Sequence, residues 1–236
     1  MHTQTLGTPL PDWLPPPAPQ RHPLHGRLCR LEPLDPVRHA TALFDAYAQD
    51  SAGRGWTYLP YGPFAEAADY AAWMETIAHD ADPLLFAIVD AASDRPVGVA
   101  GYLRITPAAG SIEIGHLHFS PQLQRTPMAT EAPFLLMREA FTLGYRRLEW
   151  KCDSLNQPSR RAATRLGFRY EGTFRQATVV KRCNRDTAWF SIIDGEWPAL
   201  RNAIERWLDP GNFDPDGRQR IALTALTDAV STPTEP

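Results

Sequence analysis

The sequence predicts an α/β (α+β) domain, a mixed and mostly antiparallel central sheet of about six or seven strands flanked by helices on both faces. Three observations carry that prediction. Three strand-like segments, LLFAIVD, PVGVAGYLRI and SIEIGHLHFS, follow one another with only the turn-like AASDRP and TPAAG between them, as in an antiparallel meander. Beyond residue 120 strand patterns alternate with helical ones, which implies crossover connections and some parallel pairing. The 236 residues, 43% hydrophobic and 22% charged, suffice for one full core rather than two.

Residues 1–25 include PLPDWLPPPAPQRHPL, too rich in proline for a helix or a central strand, and read as an extended arm with Trp13 and Leu14 free to pack on the body. GRLCRLEPL alternates as a first strand. Pro36 then opens a helix for which Asp35 is the N-cap. GRGWTYLPYGPF is a loop dense in aromatics, and a second helix covers Phe64 to His79. After the meander come a helix over 128–143, the strand RRLEWKC, a helix over 157–166, the strands FRYEGTFR and TAWFSIID, and the helix EWPALRNAIERWL. The domain thus spans 26–208, and 209–236 form a turn-rich, partly flexible extension.

Composition excludes several function classes. A net charge of −3 gives no chain-wide surface for nucleic acid or membrane, although residues 121–185 carry thirteen Lys/Arg against five Asp/Glu. That excess suits a solvated basic face or an anionic ligand equally. Cys29, Cys152 and Cys183 are too scattered for a zinc site and odd in number for a disulfide framework, so a reducing cytoplasm is expected. No apolar run approaches the roughly 18 residues that span a bilayer. His116 and His118 lack a third partner at metal-ligand spacing, so no metal is expected. No Gly-x-Gly-x-x-Gly follows a strand, which argues against a dinucleotide fold.

Two motifs carry chemistry. QRTPMATEA, residues 124–132, runs from a loop into a helix, and LNQPSRRAATRLGF places Asn156, Ser159, Gly167 and Phe168 on and after the next one. With the order of elements, these resemble the GCN5-related N-acetyltransferase family, specifically its ribosomal-protein N-acetyltransferase-like branch, from about Gly26 to Leu208. In that family the loop commonly reads Gln-Gly-Lys-Gly-Tyr-Ala-Thr-Glu-Ala, and its backbone N–H groups hold the pyrophosphate of coenzyme A. Here both glycines are replaced, by Arg125 and Pro127.

The resemblance implies an acetyl-CoA-dependent N-acetyltransferase acting on a primary amine, either a protein N-terminus or a small molecule, as monomer or homodimer. A non-catalytic acyl-CoA-binding module of the same fold is the alternative. A loop that delivers N–H groups to a helix start is an anion site because unpaired donors and the helix dipole point the same way. The expected donors are the N–H groups of Arg125, Thr126, Met128, Ala129 and Thr130, with Gln124 preceding them. By resemblance, backbone around His118, Phe119 and Ser120 pairs with the pantetheine arm, and Asn156 and Arg161 lie beside the cofactor. Arg160 and Arg161 in a helix's first turn oppose its dipole, a conflict that nearby phosphates or solvent screening would relieve.

The family's frequent tyrosine proton donor, seven residues after the Asn, is replaced by Ala163, so the branch's serine, Ser159, is the candidate acid. Glu113 and His118 are the candidate bases. Strand alternation puts Ile112, Ile114, His116 and His118 on one face and Glu113, Gly115, Leu117 and Phe119 on the other. Trp56, Tyr58 and Tyr61 would wall the acceptor site, or equally serve as core anchors.

Overall fold

The computed structural model describes residue 4 and residues 6–231. In chain order the elements are β1 (Leu24–His25), β2 (Cys29–Pro33), α1 (Pro36–Ala48), α2 (Ala67–Glu75), β3 (Leu84–Asp90), β4 (Pro96–Thr106), β5 (Ser111–Phe119), α3 (Met128–Thr142), β6 (Arg147–Asp153), α4 (Gln157–Arg165), β7 (Arg169–Val180), β8 (Cys183–Ile193), α5 (Trp197–Leu208) and α6 (Leu223–Ser231).

Local chemistry fixes the helix starts. Asp35 Oδ1 accepts the N–H groups of Val37 at 2.9 Å and Arg38 at 3.2 Å, two of the donors that a helix leaves orphaned, with Pro36 in the first turn. Asn156 does the same for α4 by accepting the Ser159 N–H at 3.1 Å. The stop after α4 is Gly167, at φ 92°, where a Cβ would lie 2.4 Å from Leu200 of α5. Only glycine takes that conformation and that approach without strain.

All strands join one sheet in the order β1-β2-β3-β4-β5-β6-β8-β7. Every neighbouring pair is antiparallel except β5 with β6, which α3 connects as a crossover. The sheet has eight strands rather than six or seven because the two-residue β1 is too short to leave a periodic signal. One face packs on α1 and α2 through Leu43, Tyr47, Trp56, Tyr70 and Met74, which meet Leu85, Ala87 and Val99. The other packs on α3 and α5 through Leu136, Met137 and Ile204, which meet Ile112, Ile114 and Trp150. α1 and α2 cover the β2-to-β5 part of their face.

The arm is anchored on the body. Arg21 donates to the carbonyls of Ala78 at 2.5 Å and Asp80 at 2.7 Å, and Trp13 lies half-buried under the Arg146 guanidinium, 5.8 Å from its ring centre. Leu14 does not pack on the body; it is exposed. Past α5, where the sequence suggested only turns, α6 buries Leu223 and its Thr227 hydroxyl donates to the Arg165 carbonyl at 3.3 Å. The last residues of that predicted tail, 232–236, lie outside the described residues. Among the described residues no helix is long and apolar enough to cross a membrane.

Candidate active site

The sheet splits in its middle. β5 pairs with β6 only from Ser111 opposite Arg147 to Ile114 opposite Trp150, yet β5 continues to Phe119 and β6 to Asp153. A β-bulge causes the divergence: between the pairs Gly101–Gly115 and Val99–His118, β5 has one residue more than β4, and His116 takes φ 50°. Gly101 and Gly115 permit it, since a Cβ at either would come within 2.6 Å of Leu85 or Leu103. From Gly115 to Phe119 the β5 edge that faces β6 therefore has no strand partner. An unpaired strand edge is a template for any extended ligand with amide groups.

The bulge also shifts the side-chain phase, so the simple alternation read from the sequence does not hold along β5. Ile112 and Ile114 face the α3 side, but past His116 it is Leu117 and Phe119 that do so. His116 and His118 instead share the α1–α2 side with Glu113, where His118 stacks on Tyr47 with ring centres 3.7 Å apart.

At the far end of this free edge lies the loop 120–127. Of the five expected donors, Thr126 N–H is bound to the Leu123 carbonyl, Ala129 N–H to the Thr126 carbonyl and Thr130 N–H to the Pro127 carbonyl, at 3.0–3.3 Å. These tight i,i+3 bonds consume three donors that were read as available. The N–H groups of Arg125 and Met128 have no acceptor among the described residues. Arg125, at φ 63°, occupies the left-handed conformation a glycine would take freely, and Gln124 Nε2 closes the turn onto the Phe119 carbonyl at 2.7 Å. The Ser120 hydroxyl, fully buried at the root of the loop, has no partner among the described residues. Thr130 and Glu131 turn away from the loop: Thr130 Oγ1 accepts from Arg165 at 2.7 Å, and Glu131 reaches to β2.

Ser159 sits at the apex of the split. Trp150, the last β6 residue paired with β5, donates its indole N–H to Ser159 Oγ at 3.0 Å, and Asn156 fixes the Ser159 backbone. With its oxygen accepting from Trp150, the hydroxyl keeps its own hydrogen to donate. Cys152 is a close neighbour of Ser159, and burial pushes its thiol pKa up. Ala163 is fully buried in the core, so nothing at that position replaces the missing tyrosine. Arg160 lies over the rings of Tyr170 and Phe190 at 5.2 and 5.9 Å, a cation–π contact that favours a cation in the first turn. Arg161 is exposed.

On the opposite face of the split, both Glu113 oxygens are engaged. Arg104 donates to them twice at 2.6 Å, from a second bulge where its own φ is 48°, and Lys151 Nζ lies 3.0 Å away. Lys151 also meets Glu149 at 2.7 Å and stands 3.6 Å from the Trp189 ring centre. His118 is buried and edged by Trp56, ring centres 4.0 Å apart. Burial pushes its pKa down to about 3, and burial with the nearby Arg104 takes His116 to about 4. Both imidazoles are therefore neutral at physiological pH, in surroundings that resist their protonation.

The aromatic loop is divided in role. The Trp56 side chain is a core anchor between Tyr47 and Tyr70, while its carbonyl accepts from Lys181 Nζ at the tip of the β7–β8 hairpin, 2.7 Å away. The Tyr58 hydroxyl donates to the Leu155 carbonyl at 3.2 Å. The Tyr61 hydroxyl lies 3.1 Å from His116 Nδ1, with Tyr61 resting on Trp73. The sequence reading missed Trp150, Lys151, Arg104 and the hairpin tip. Only Trp150 left a local signal, as the buried alternate residue of RRLEWKC.

Residues 29–169 match the profile of the acetyltransferase (GNAT) domain. A crystal structure of a GCN5-related N-acetyltransferase from Brucella melitensis is 48% identical over 93% of this chain and 100% of its own, with a TM-score of 0.91. A probable acetyltransferase (GNAT family) from Chromobacterium violaceum is 46% identical over 84% of this chain and 100% of its own, with a TM-score of 0.77. The microcin C7 self-immunity acetyltransferase MccE, solved with acetyl-CoA and AMP, shares the fold at 21% identity, TM-score 0.63, over 71% of this chain and 93% of its own. Among curated proteins, none matches the chain.

Proposed function

The chain belongs to the GNAT acetyltransferase family, and we propose that it moves the acetyl group of acetyl-CoA onto a primary amine bound on the α1–α2 side of the split, in the manner of the ribosomal-protein N-acetyltransferase branch. Members of this family are acetyl-CoA-dependent acyltransferases. The observation that carries the reading is the alignment of three features along β5. Its unpaired edge runs from a hydroxyl at the apex, on Ser159, to two unpaired N–H groups in the loop, on Arg125 and Met128. At ~3.3 Å per residue the five unpaired residues cover roughly 16 Å, a length for an extended thiol-bearing arm that ends in a diphosphate.

The residues fit such a carrier. The Arg125 and Met128 N–H groups, the dipole of α3 and the buried, partnerless Ser120 hydroxyl supply donors for phosphate oxygens. Arg125 and Arg161, both exposed, supply charge. Edge amides between Gly115 and Phe119 align the arm. The thioester that this arm brings is the acyl donor; the remaining work belongs to the protein.

Ser159 holds the proton that the departing sulfur needs, on an oxygen whose orientation Trp150 and Asn156 fix. Glu113, occupied by Arg104 and Lys151, acts on the acceptor side through its field rather than as a free base, and neutral His118 serves as a rigid wall. The amine loses its proton to water at the mouth of the split. Tyr58 and Tyr61 line that mouth, and Lys181 straps the hairpin across the Trp56 carbonyl.

A panel of primary amines offered with acetyl-CoA tests the reading through release of free thiol. At least one amine is expected to be turned over. Tight binding of acetyl-CoA with no thiol released from any amine would instead make the protein a binding module.

A further inference from the structure

Resting on that transferase reading of the split, we propose that β8 adds an anion-binding subsite to the acceptor side, in which Arg185 holds a carboxylate of the amine acceptor. The basic side chains of this face are otherwise matched to acids. Arg104 and Lys151 meet Glu113, Lys151 also meets Glu149, and Arg147 bridges Glu149 and Glu171 at 2.5–2.8 Å. Arg185 has no such acid. It is half-buried, its guanidinium has no ion pair or hydrogen bond among the described residues, and its Nε is shielded from solvent with no acceptor. Its terminal Nη groups reach solvent without a counter-charge and stand open to an anion.

Placement makes a substrate that anion. Ala188, Phe190 and Ile192 of β8 face the core, so Arg185, Thr187 and Trp189 face the open side together with Lys151. The Trp189 indole N–H is a second buried donor on this face with no acceptor among the described residues. Two ties hold the aromatic wall to the sheet on either side of Arg185, Lys181 to the Trp56 carbonyl and Tyr58 to the Leu155 carbonyl. Close to it, the Ser154 N–H reaches the Asp186 carbonyl at 2.8 Å. Neither neighbouring carboxylate pairs with Arg185: Asp153 Oδ1 accepts the Leu155 N–H, and Asp186 Oδ1 accepts from Gln176 and Asn184. Lys181 and Arg182 at the hairpin tip add positive charge to the approach. The planar fork of an arginine matches a carboxylate through two parallel hydrogen bonds, so the acceptor class is a primary amine that also carries a carboxylate.

Binding of product analogues tests this without turnover. N-acetyl ω-amino acids of increasing chain length, together with N-acetyl-aspartate and N-acetyl-glutamate, are titrated calorimetrically in the presence of coenzyme A against the corresponding amides. At least one acid should bind about tenfold more tightly than its amide, the scale of one charge-assisted hydrogen bond. Arg185→Gln should abolish that preference and Arg185→Lys should keep part of it. Equal binding of acids and amides, or a preference that survives Arg185→Gln, overturns the subsite. Failure of the transferase reading shows separately, as absence of thiol release from the whole amine panel.

Discussion

Replacing Glu131 by Ala is expected to remove about 2–5 kcal/mol of stability. The buried Glu131 carboxylate accepts three backbone N–H groups of the turn into β2, from Arg27 at 3.0 Å, Leu28 at 2.6 Å and Cys29 at 2.8 Å. Gly26 lets it in, because a Cβ there would lie 2.5 Å from Glu131 Oε2. Orphaning a buried donor costs about 1–3 kcal/mol; the Cys29 N–H is buried and the other two are part-buried, so the loss is a sizeable share of an ordinary domain's stability of about 5–15 kcal/mol. Urea denaturation of Glu131→Ala and Glu131→Gln checks this. The Gln variant keeps one acceptor oxygen and should lie between the Ala variant and the wild type. An Ala midpoint equal to the wild type would show that the turn finds its acceptors elsewhere.

Ser159→Ala should lower kcat by about 10²- to 10⁴-fold, the range for losing a positioned proton donor, while KM for acetyl-CoA holds. The substitution also orphans the Trp150 indole N–H, at about 1–3 kcal/mol, so near-ultraviolet circular dichroism must accompany the kinetics to show an intact fold. Full activity in a folded Ser159→Ala protein would remove the hydroxyl from the chemistry and return the leaving sulfur's proton to solvent.

What the sequence made legible is what short-range chemistry decides. Asp35 and Asn156 cap their helices because a side-chain oxygen two or three residues away from free N–H groups needs no tertiary help. Gly167 ends α4 for an equally local reason, and Leu200 merely tightens it. The loop at 124–130 was legible as an approach to a helix. Which of its donors remain free was not, because the i,i+3 bonds of Thr126, Ala129 and Thr130 depend on how tightly the turn closes.

The bulge at His116 escaped the sequence because it is set by two glycines facing each other across β4 and β5, one of which lies fourteen residues upstream. That single inserted residue moved His116 and His118 to the Glu113 side and opened the split. The state of Glu113 was equally hidden, since its cations come from β4 and β6. The setting of Arg160 was hidden for a similar reason: Tyr170 and Phe190, from two later strands, lie under its guanidinium. α6 offered no charge pattern to announce it, and its packing on α5 and the hydrogen bond from Thr227 to the Arg165 carbonyl come from distant parts of the chain.

The central claim is that the gap beside β5 is the seat of coenzyme A. A crystal grown with excess coenzyme A tests it most directly. The diphosphate should lie against the N–H groups of Arg125 and Met128, the arm along 115–119, and the sulfur beside Ser159. A diphosphate bound elsewhere, or an arm that leaves the 115–119 edge bare, would contradict it.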